Sequence, residues 1–104
     1  MNTANLQLTG VMAGLGALLG VLRESGTVSR ESVDEALRRT ESEMIDDARR
    51  IPEMSSANVE ATLFPVRYLR VANGMWEPGR KLPFSEVAAG VGRLKDEHGT
   101  VTPR

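Results

Sequence analysis

The 104-residue sequence contains no cysteine and a single histidine, His98. The lack of cysteine excludes disulfide bonds and thiolate metal sites within the chain, and nothing in it indicates an oxidising compartment. One histidine leaves little material for a Ser/His/Asp or Cys/His catalytic site. His98 falls where we expect the last helix to end, so we interpret it as a partner of the helix dipole or a core-edge residue rather than a catalytic base. We expect a non-enzymatic protein that uses no cofactor and no metal.

The chain also has few aromatic residues and no strong charge of either sign: 4% of residues are aromatic and the formal net charge is −1. Nucleic-acid-binding modules usually carry a clear basic excess. The charges are nevertheless uneven, since residues 24–60 hold ten acids and five bases and residues 61–104 hold four acids and seven bases. Arg67 and Arg70, beside Tyr68, are possible phosphate contacts of a nucleic-acid module, which is the alternative function. In the other interpretation Tyr68 belongs to the core and the arginines pair with the acidic second helix.

Residues 1–22 carry no charged side chain and contain two GxxxG pairs, Gly10/Gly14 and Gly16/Gly20. On a helix the large apolar residues fall on one face, which we predict to be buried. The small residues fall largely on the other side. Because each interior glycine costs about 1 kcal/mol relative to alanine, we expect the close approach of another helix to offset that cost. The predicted packing or dimer interface comprises Gly10, Ala13, Gly14, Ala17 and Gly20. We expect this helix to be central and to pack against the third or fourth helix or a second copy.

The same segment allows a membrane interpretation. Residues 6–22 form 17 residues of helix, about 25 Å long, against roughly 30 Å of bilayer hydrocarbon. No basic segment followed by a small-residue cleavage site precedes Arg23, so we do not expect a secretory signal. A core helix of a cytoplasmic protein is the favoured interpretation. A peripheral or single-span membrane protein anchored through residues 6–22 is the remaining alternative.

The rest of the sequence reads as three more helices. Gly26 and Ser29 mark a short turn, which predicts a helical hairpin over residues 5–50. Ser55 or Ser56 begins a third helix that runs to Asn73, with a kink or break expected at Pro65. A loop over residues 74–84 and a short fourth helix complete the chain. We therefore predict an all-α, four-helix bundle-like fold in a single domain, residues 1–104.

The 74–84 loop contains the only tryptophan, Trp76, next to Met75. Such an amphipathic aromatic residue is typical of interfaces, so we predict a possible partner-binding loop with Met75, Trp76, Arg80 and Lys81. The alternative is that Trp76 folds back as a lid on the core. The loop has the GxxxxG spacing of a phosphate-binding loop, but Leu82 stands near the place of the required Ser/Thr and no strand precedes it.

Two further patterns bear on function. The acids of the second helix alternate with arginines on what we interpret as a solvated face rather than a metal site: Glu41, Glu43, Asp46 and Asp47. Arginine outnumbers lysine eleven to two, a bias that we ascribe to a bacterial source with a GC-rich genome. The sequence thus predicts a small bacterial interaction or assembly protein that forms a homodimer. Another protein as partner stays open, and nucleic acid and membrane are less favoured partners.

Overall fold

The computed structural model describes residues 2–51 and 53–98, with side chains described as far as Leu94. Four helices account for most of this part of the chain: α1 (Thr3–Glu24), α2 (Arg30–Arg49), α3 (Ser56–Met75) and α4 (Phe84–His98). No strand occurs in residues 2–51 and 53–98. The prediction of an all-α fold with four helices is confirmed. The expected side-chain role of His98 and the helix end at Gly99 lie outside the described residues.

The predicted helix boundaries rest on local polar chemistry that the structure confirms. The Ser29 Oγ accepts a hydrogen bond from the Ser32 backbone N–H at 3.0 Å, and the Ser55 Oγ accepts one from the Asn58 N–H at 3.1 Å. Each bond satisfies one of the N–H groups that a helix start leaves unpaired. Gly26 follows α1 with a φ of 76°, a left-handed conformation that favours glycine.

Helix α3 differs from its prediction in two ways. Of the kink or break expected at Pro65, the break does not occur, and the helix extends to Met75, beyond the predicted end at Asn73. Pro65 removes one backbone hydrogen bond from α3, and the packing of α3 on three other helices compensates for that loss. The loop between α3 and α4 is correspondingly short and spans residues 76–83.

Helix α3 is the central element, and α1, α2 and α4 each pack against it. The prediction that the first helix is central is therefore wrong, and α1 and α2 make their main contacts with α3 rather than with each other. The physical reason is that α3 presents apolar residues to two sides. One cluster joins α2 to α3 through Ala48, Val59 and Leu63. The other joins α1, α3 and α4 through Met12, Tyr68, Ala72, Val87 and Val91.

The contact between α3 and α4 is especially close at Gly90. A Cβ atom at Gly90 would lie 2.6 Å from Val71 Cγ1, well inside the contact distance of two carbon atoms. Glycine at this position therefore lets α4 approach α3.

The molecule is thin. Its shortest dimension is 21 Å, which is the thickness of about two helices. Each outer helix therefore has one side towards α3 and one side towards solvent.

Candidate functional site

The outward side of α1 carries a continuous row of exposed large apolar residues. We call this row the leucine seam: Leu8, Val11, Leu15, Leu18 and Leu22. Their exposed fractions lie between 43% and 62%. The sequence interpretation placed these residues in the core, and that prediction is wrong for the single chain, since Met12 is the one residue of α1 that is fully buried.

The seam residues follow one another at intervals of three, four, three and four positions. This is the spacing of the core positions in a two-helix coiled coil, where such residues of one helix insert between those of another. From Leu8 to Leu22 the seam extends about 21 Å along the helix. No charged residue lies on α1 before Arg23, so the seam has no charge that would keep it hydrated.

The opposite side of α1 holds it against α3 through small residues. A Cβ atom at Gly16 would lie 3.8 Å from Tyr68 Cε1, and one at Gly20 would lie 3.4 Å from Trp76 Nε1. Both are van der Waals contact distances, so these two positions lie directly against the two aromatic rings. The glycines Gly16 and Gly20 thus pack within one chain, against α3 and the residue that follows it.

The other members of the predicted interface lie elsewhere on α1. A Cβ atom at Gly10 or Gly14 would meet nothing within 4 Å, so these two glycines face open space beside the leucine seam. Ala13 and Ala17 are exposed, and with Gly16 and Gly20 they line one wall of a pocket. The predicted small-residue interface is therefore not one surface. Gly20 lies in a contact within the chain, Ala13 and Ala17 line a pocket, and Gly10 and Gly14 face open space.

Polar contacts at the end of α1 fix how the helix is rotated about its axis. The Arg23 guanidinium donates to the Asn73 backbone oxygen at 2.9 Å and also to the Asn73 side-chain oxygen. Asn73 is 1% exposed, and its Nδ2 donates to the Arg30 backbone oxygen at 3.0 Å. One buried amide thus ties α1 and the start of α2 to α3. Held in this orientation, α1 turns the leucine seam away from the core.

The predicted partner-binding loop folds back onto the helices. Trp76 is half-buried, and Arg23 Cζ lies 4.7 Å from the centroid of its ring, a cation–π distance. Met75 is half-buried against the core. Arg80 donates to the Met75 backbone oxygen at 3.3 Å and to Glu86 at 2.8 Å, whereas Lys81 is exposed. These contacts agree with the alternative in which Trp76 acts as a lid.

Arg67 and Arg70 are not at the surface. Arg67 is 2% exposed, and its Nε donates to Glu41 Oε2 at 2.8 Å. Arg67 also pairs with Glu60, and Arg70 donates to Glu41 Oε1 at 2.8 Å. Their charges are thus already matched by carboxylates, which leaves them poorly placed to bind phosphate. The geometry agrees with the alternative in which the arginines pair with α2.

Glu41 is therefore a correction to the sequence interpretation, which placed it on a solvated face. Glu41 is buried between α2 and α3. Burial by itself would raise the pKa of the Glu41 carboxyl, but the hydrogen bonds and charges of Arg67 and Arg70 outweigh it and hold that pKa below its ordinary value of 4.5. The carboxylate is thus a structural anion at neutral pH. Among the described residues, no group of three or more His, Asp or Glu side chains is arranged to hold a metal ion.

Two cavities flank the inner side of α1. A groove of about 670 Å³ lies between α1, α3 and α4, with Leu8, Met12, Phe64 and Val91 among its mostly apolar lining. A smaller cavity of about 330 Å³, which we call the loop pocket, lies between the small residues of α1 and the loop that follows α3. Leu8 belongs to both the leucine seam and the groove, so the seam and the groove form one continuous apolar surface.

Helix α1 is also long and apolar enough to cross a membrane, judged by length and composition alone. Its most apolar stretch has a mean hydropathy of 1.5, and 6% of that stretch is buried. Comparison with protein-family models, with curated proteins and with solved structures finds no match to the chain.

Proposed function

We propose that the chain is a non-enzymatic interaction or assembly protein that self-associates, and that two copies pair through the leucine seams of their α1 helices. The observation that carries this proposal is the row of five exposed large apolar residues at coiled-coil spacing. Monomeric proteins rarely leave a contiguous apolar surface of this kind in water. The interface differs from the one expected from the sequence, because Gly16 and Gly20 already pack inside the chain.

A second copy fits the seam better than a charged partner would. A two-fold dimer places the same patch of each subunit against itself, so the patch must be self-complementary. An uncharged apolar row meets this condition because it brings no like charges together. Gly10 and Gly14 lie beside the seam with open space above them, which allows the second helix to come close. The adjoining groove supplies further apolar surface next to Leu8.

The seam can supply free energy of the size that association requires. Full burial of a leucine or valine side chain stabilises by roughly 1.5 to 3 kcal/mol, and these side chains are about half exposed, so each contributes about 1 kcal/mol when covered. Five residues on each of two subunits give about 10 kcal/mol. The loss of translational and rotational freedom on association costs about 4 to 15 kcal/mol. We therefore expect a dimer whose population depends on protein concentration.

Membrane association is supported less well. A helix that lies in a membrane surface usually carries lysine and arginine on its polar side. The one basic residue of α1 is Arg23, and its guanidinium is engaged by Asn73 and Trp76. A spanning α1 would in addition have to leave α3 and uncover Tyr68 and Ala72. The proposal therefore commits to a second copy of the chain.

The test is the solution mass, measured by light scattering after size exclusion in buffer without detergent. The subunit mass is 11.3 kDa, and we expect the measured mass to rise towards twice that value as concentration increases. Leu15→Glu and Leu18→Glu place a carboxylate in the seam, and each should return the protein to the subunit mass with unchanged helical circular dichroism. Ile51→Glu is the matched control, since Ile51 is 43% exposed but lies off α1.

Three results would contradict the proposal. The first is a mass of one subunit at every concentration up to the millimolar range. The second is a dimer that Leu15→Glu and Leu18→Glu leave intact, because the interface would then lie elsewhere. The third is flotation of the wild-type protein with neutral phosphatidylcholine vesicles, abolished by the two seam variants, which would assign the seam to lipid.

A further inference from the structure

The groove between α1, α3 and α4 lies along the N-terminal half of α1. The residues of α1 that line it are Asn5, Leu8, Thr9 and Met12. The walls on α3 and α4 are mostly apolar and include Phe64, Pro65, Phe84, Ala88 and Val91. Two charged residues also line the groove, Glu60 and Arg67, and they form an ion pair with each other. The groove therefore offers an apolar surface without a net charge.

The leucine seam alone is small for a stable interface. Its five side chains are about half exposed, and covering them removes on the order of 300 Å² of apolar surface from each subunit. A specific, stable interface of standard size buries about 800 Å² of each partner. Leu8 belongs to both the seam and the groove. A second copy that lies on the seam at Leu8 therefore gains further buried area by covering the groove as well.

The two halves of α1 differ in polarity. Polar and apolar residues alternate over residues 3–9, whereas no side chain over residues 10–22 carries a hydroxyl, an amide or a charge. Asn5 and Gln7 are exposed, and burial of an amide without a hydrogen bond costs about 1 to 3 kcal/mol. A second α1 that runs in the same direction would bring its own polar start to the groove. One that runs in the opposite direction brings an apolar half with Leu18, Leu19 and Leu22.

We infer that the dimer is antiparallel and that the groove of each subunit receives the C-terminal half of the other subunit's α1. This inference rests on the pairing through the leucine seam proposed above, and it adds the direction of the helices and a second contact. The seam spacing of three and four positions reads the same in both directions, so it permits either orientation. Antiparallel helices also place the positive N-terminal end of one dipole beside the negative C-terminal end of the other.

Distances between spin labels, measured by pulsed electron paramagnetic resonance, test the orientation. The chain has no cysteine, so Thr3→Cys and Glu24→Cys each provide one labelling site, and the two sites mark the ends of α1 about 32 Å apart. In an antiparallel dimer each variant alone should give a distance of about 20 to 40 Å, and a distance below about 20 Å should appear only when the two variants are mixed. Distances below about 20 Å in each variant alone would show parallel helices and overturn the inference.

Substitutions in the groove, away from the seam, test the second contact. Ala88→Glu and Ala61→Glu place a carboxylate on the α4 wall and on the α3 wall. Each should raise the Kd of the dimer at least about tenfold, because the charge would lose water when the second copy covers it. Ala89→Glu is the matched control, since Ala89 is exposed beside Ala88 and does not line the groove. It should leave the Kd unchanged.

The outcomes separate this inference from the proposed function. If both groove variants dimerise as the wild type does while Leu15→Glu does not, the seam pairs but the groove contact is refuted. An equal loss of affinity in Ala88→Glu and Ala89→Glu would also refute the groove contact. A wild-type protein that keeps the subunit mass at every concentration would contradict the seam dimer itself, and this inference with it.

Discussion

Replacing Glu41 by glutamine tests how the buried ionic contact contributes to the fold. The substitution keeps the shape of the side chain and removes its charge. In the native protein the two Glu41 oxygens accept hydrogen bonds from Arg67 and Arg70, each at 2.8 Å. Glutamine offers one oxygen in place of two and turns an N–H group towards guanidinium donors. At least one of the two charge-assisted bonds is therefore lost.

The expected loss of stability in Glu41→Gln depends on which carboxylates remain near each arginine. Arg67 keeps its pairing with Glu60, and Arg70 keeps Asp34 at 3.6 Å, so neither guanidinium is left without a carboxylate nearby. Removing one partner of a fully buried ion pair costs about 3 to 5 kcal/mol. We expect Glu41→Gln to fall at the lower end, at about 3 kcal/mol, which corresponds to a decrease in Tm of about 15 °C in a domain of this size.

Urea denaturation at pH 7, followed by circular dichroism, measures the change in the free energy of unfolding. All variants should be compared at one protein concentration, because self-association would add to the apparent stability. Glu43→Gln is the matched control, since Glu43 is exposed on the same helix and its replacement should stay within about 0.5 kcal/mol of the wild type. If Glu41→Gln destabilises no more than Glu43→Gln, the buried pair contributes nothing and the reasoning fails.

Glu41→Gln should also change how the free energy of unfolding depends on pH. Because the pKa of Glu41 is lower in the folded protein than its ordinary value of 4.5, the folded state binds fewer protons at this site than the unfolded state does near that pH. Its contribution to stability is therefore present above pH 4.5 and is lost as the pH falls towards the folded pKa. Glu41→Gln removes this group, so its stability should decrease less steeply than that of the wild type below pH 5. Parallel curves for the two proteins would contradict the assignment.

Glycine substitutions test the backbone geometry by the same urea measurement. Gly90→Ala should destabilise by about 1 to 3 kcal/mol, because the new Cβ would lie 2.6 Å from Val71 Cγ1. Gly92 lies two positions further along the same helix, and a Cβ there would meet nothing within 4 Å. Gly92→Ala should therefore stabilise the protein by up to about 1 kcal/mol. A larger loss of stability in Gly92→Ala than in Gly90→Ala would refute the close packing of α3 and α4. Gly26→Ala should cost about 1 kcal/mol, since its φ is 76°; an unchanged midpoint would refute a left-handed requirement there.

The four helices could be predicted because their signals lie within a few residues of each helix. Serine caps, a glycine after α1 and apolar periodicity act within a few residues, so the four helices and the boundaries at Ser29 and Ser55 could be derived from the sequence. The central position of α3 could not, because it depends on which helices meet in three dimensions. The continuity of α3 at Pro65 has the same origin: a proline kinks or breaks an isolated helix, but packing on both sides keeps this one unbroken.

The burial of Glu41 and Arg67 has a signal in the sequence. Arg67 stands four residues after Leu63, which stands four residues after Val59, so a charged residue continues an apolar line of α3. Glu41 likewise lies four residues after Leu37 and three before Met44 on α2. A charge on the apolar side of each of two helices predicts a pair between them, because a lone buried charge would be too costly. The alternative in which the arginines pair with the second helix was therefore available from the sequence, but the interpretation of Glu41 as part of a solvated face was wrong.

The exposure of the leucine seam could not be predicted from the sequence of one chain. Apolar periodicity identified α1 as a helix that avoids water on all sides, and the lack of charge before Arg23 supported that prediction. The single chain has too few elements to provide such surroundings: α3 and α4 cover the side with Met12, and no helix in the described part of the chain covers the leucine seam. The pattern therefore describes an environment that one chain does not complete. In the dimer that we propose, a second α1 would complete it without any change in the fold.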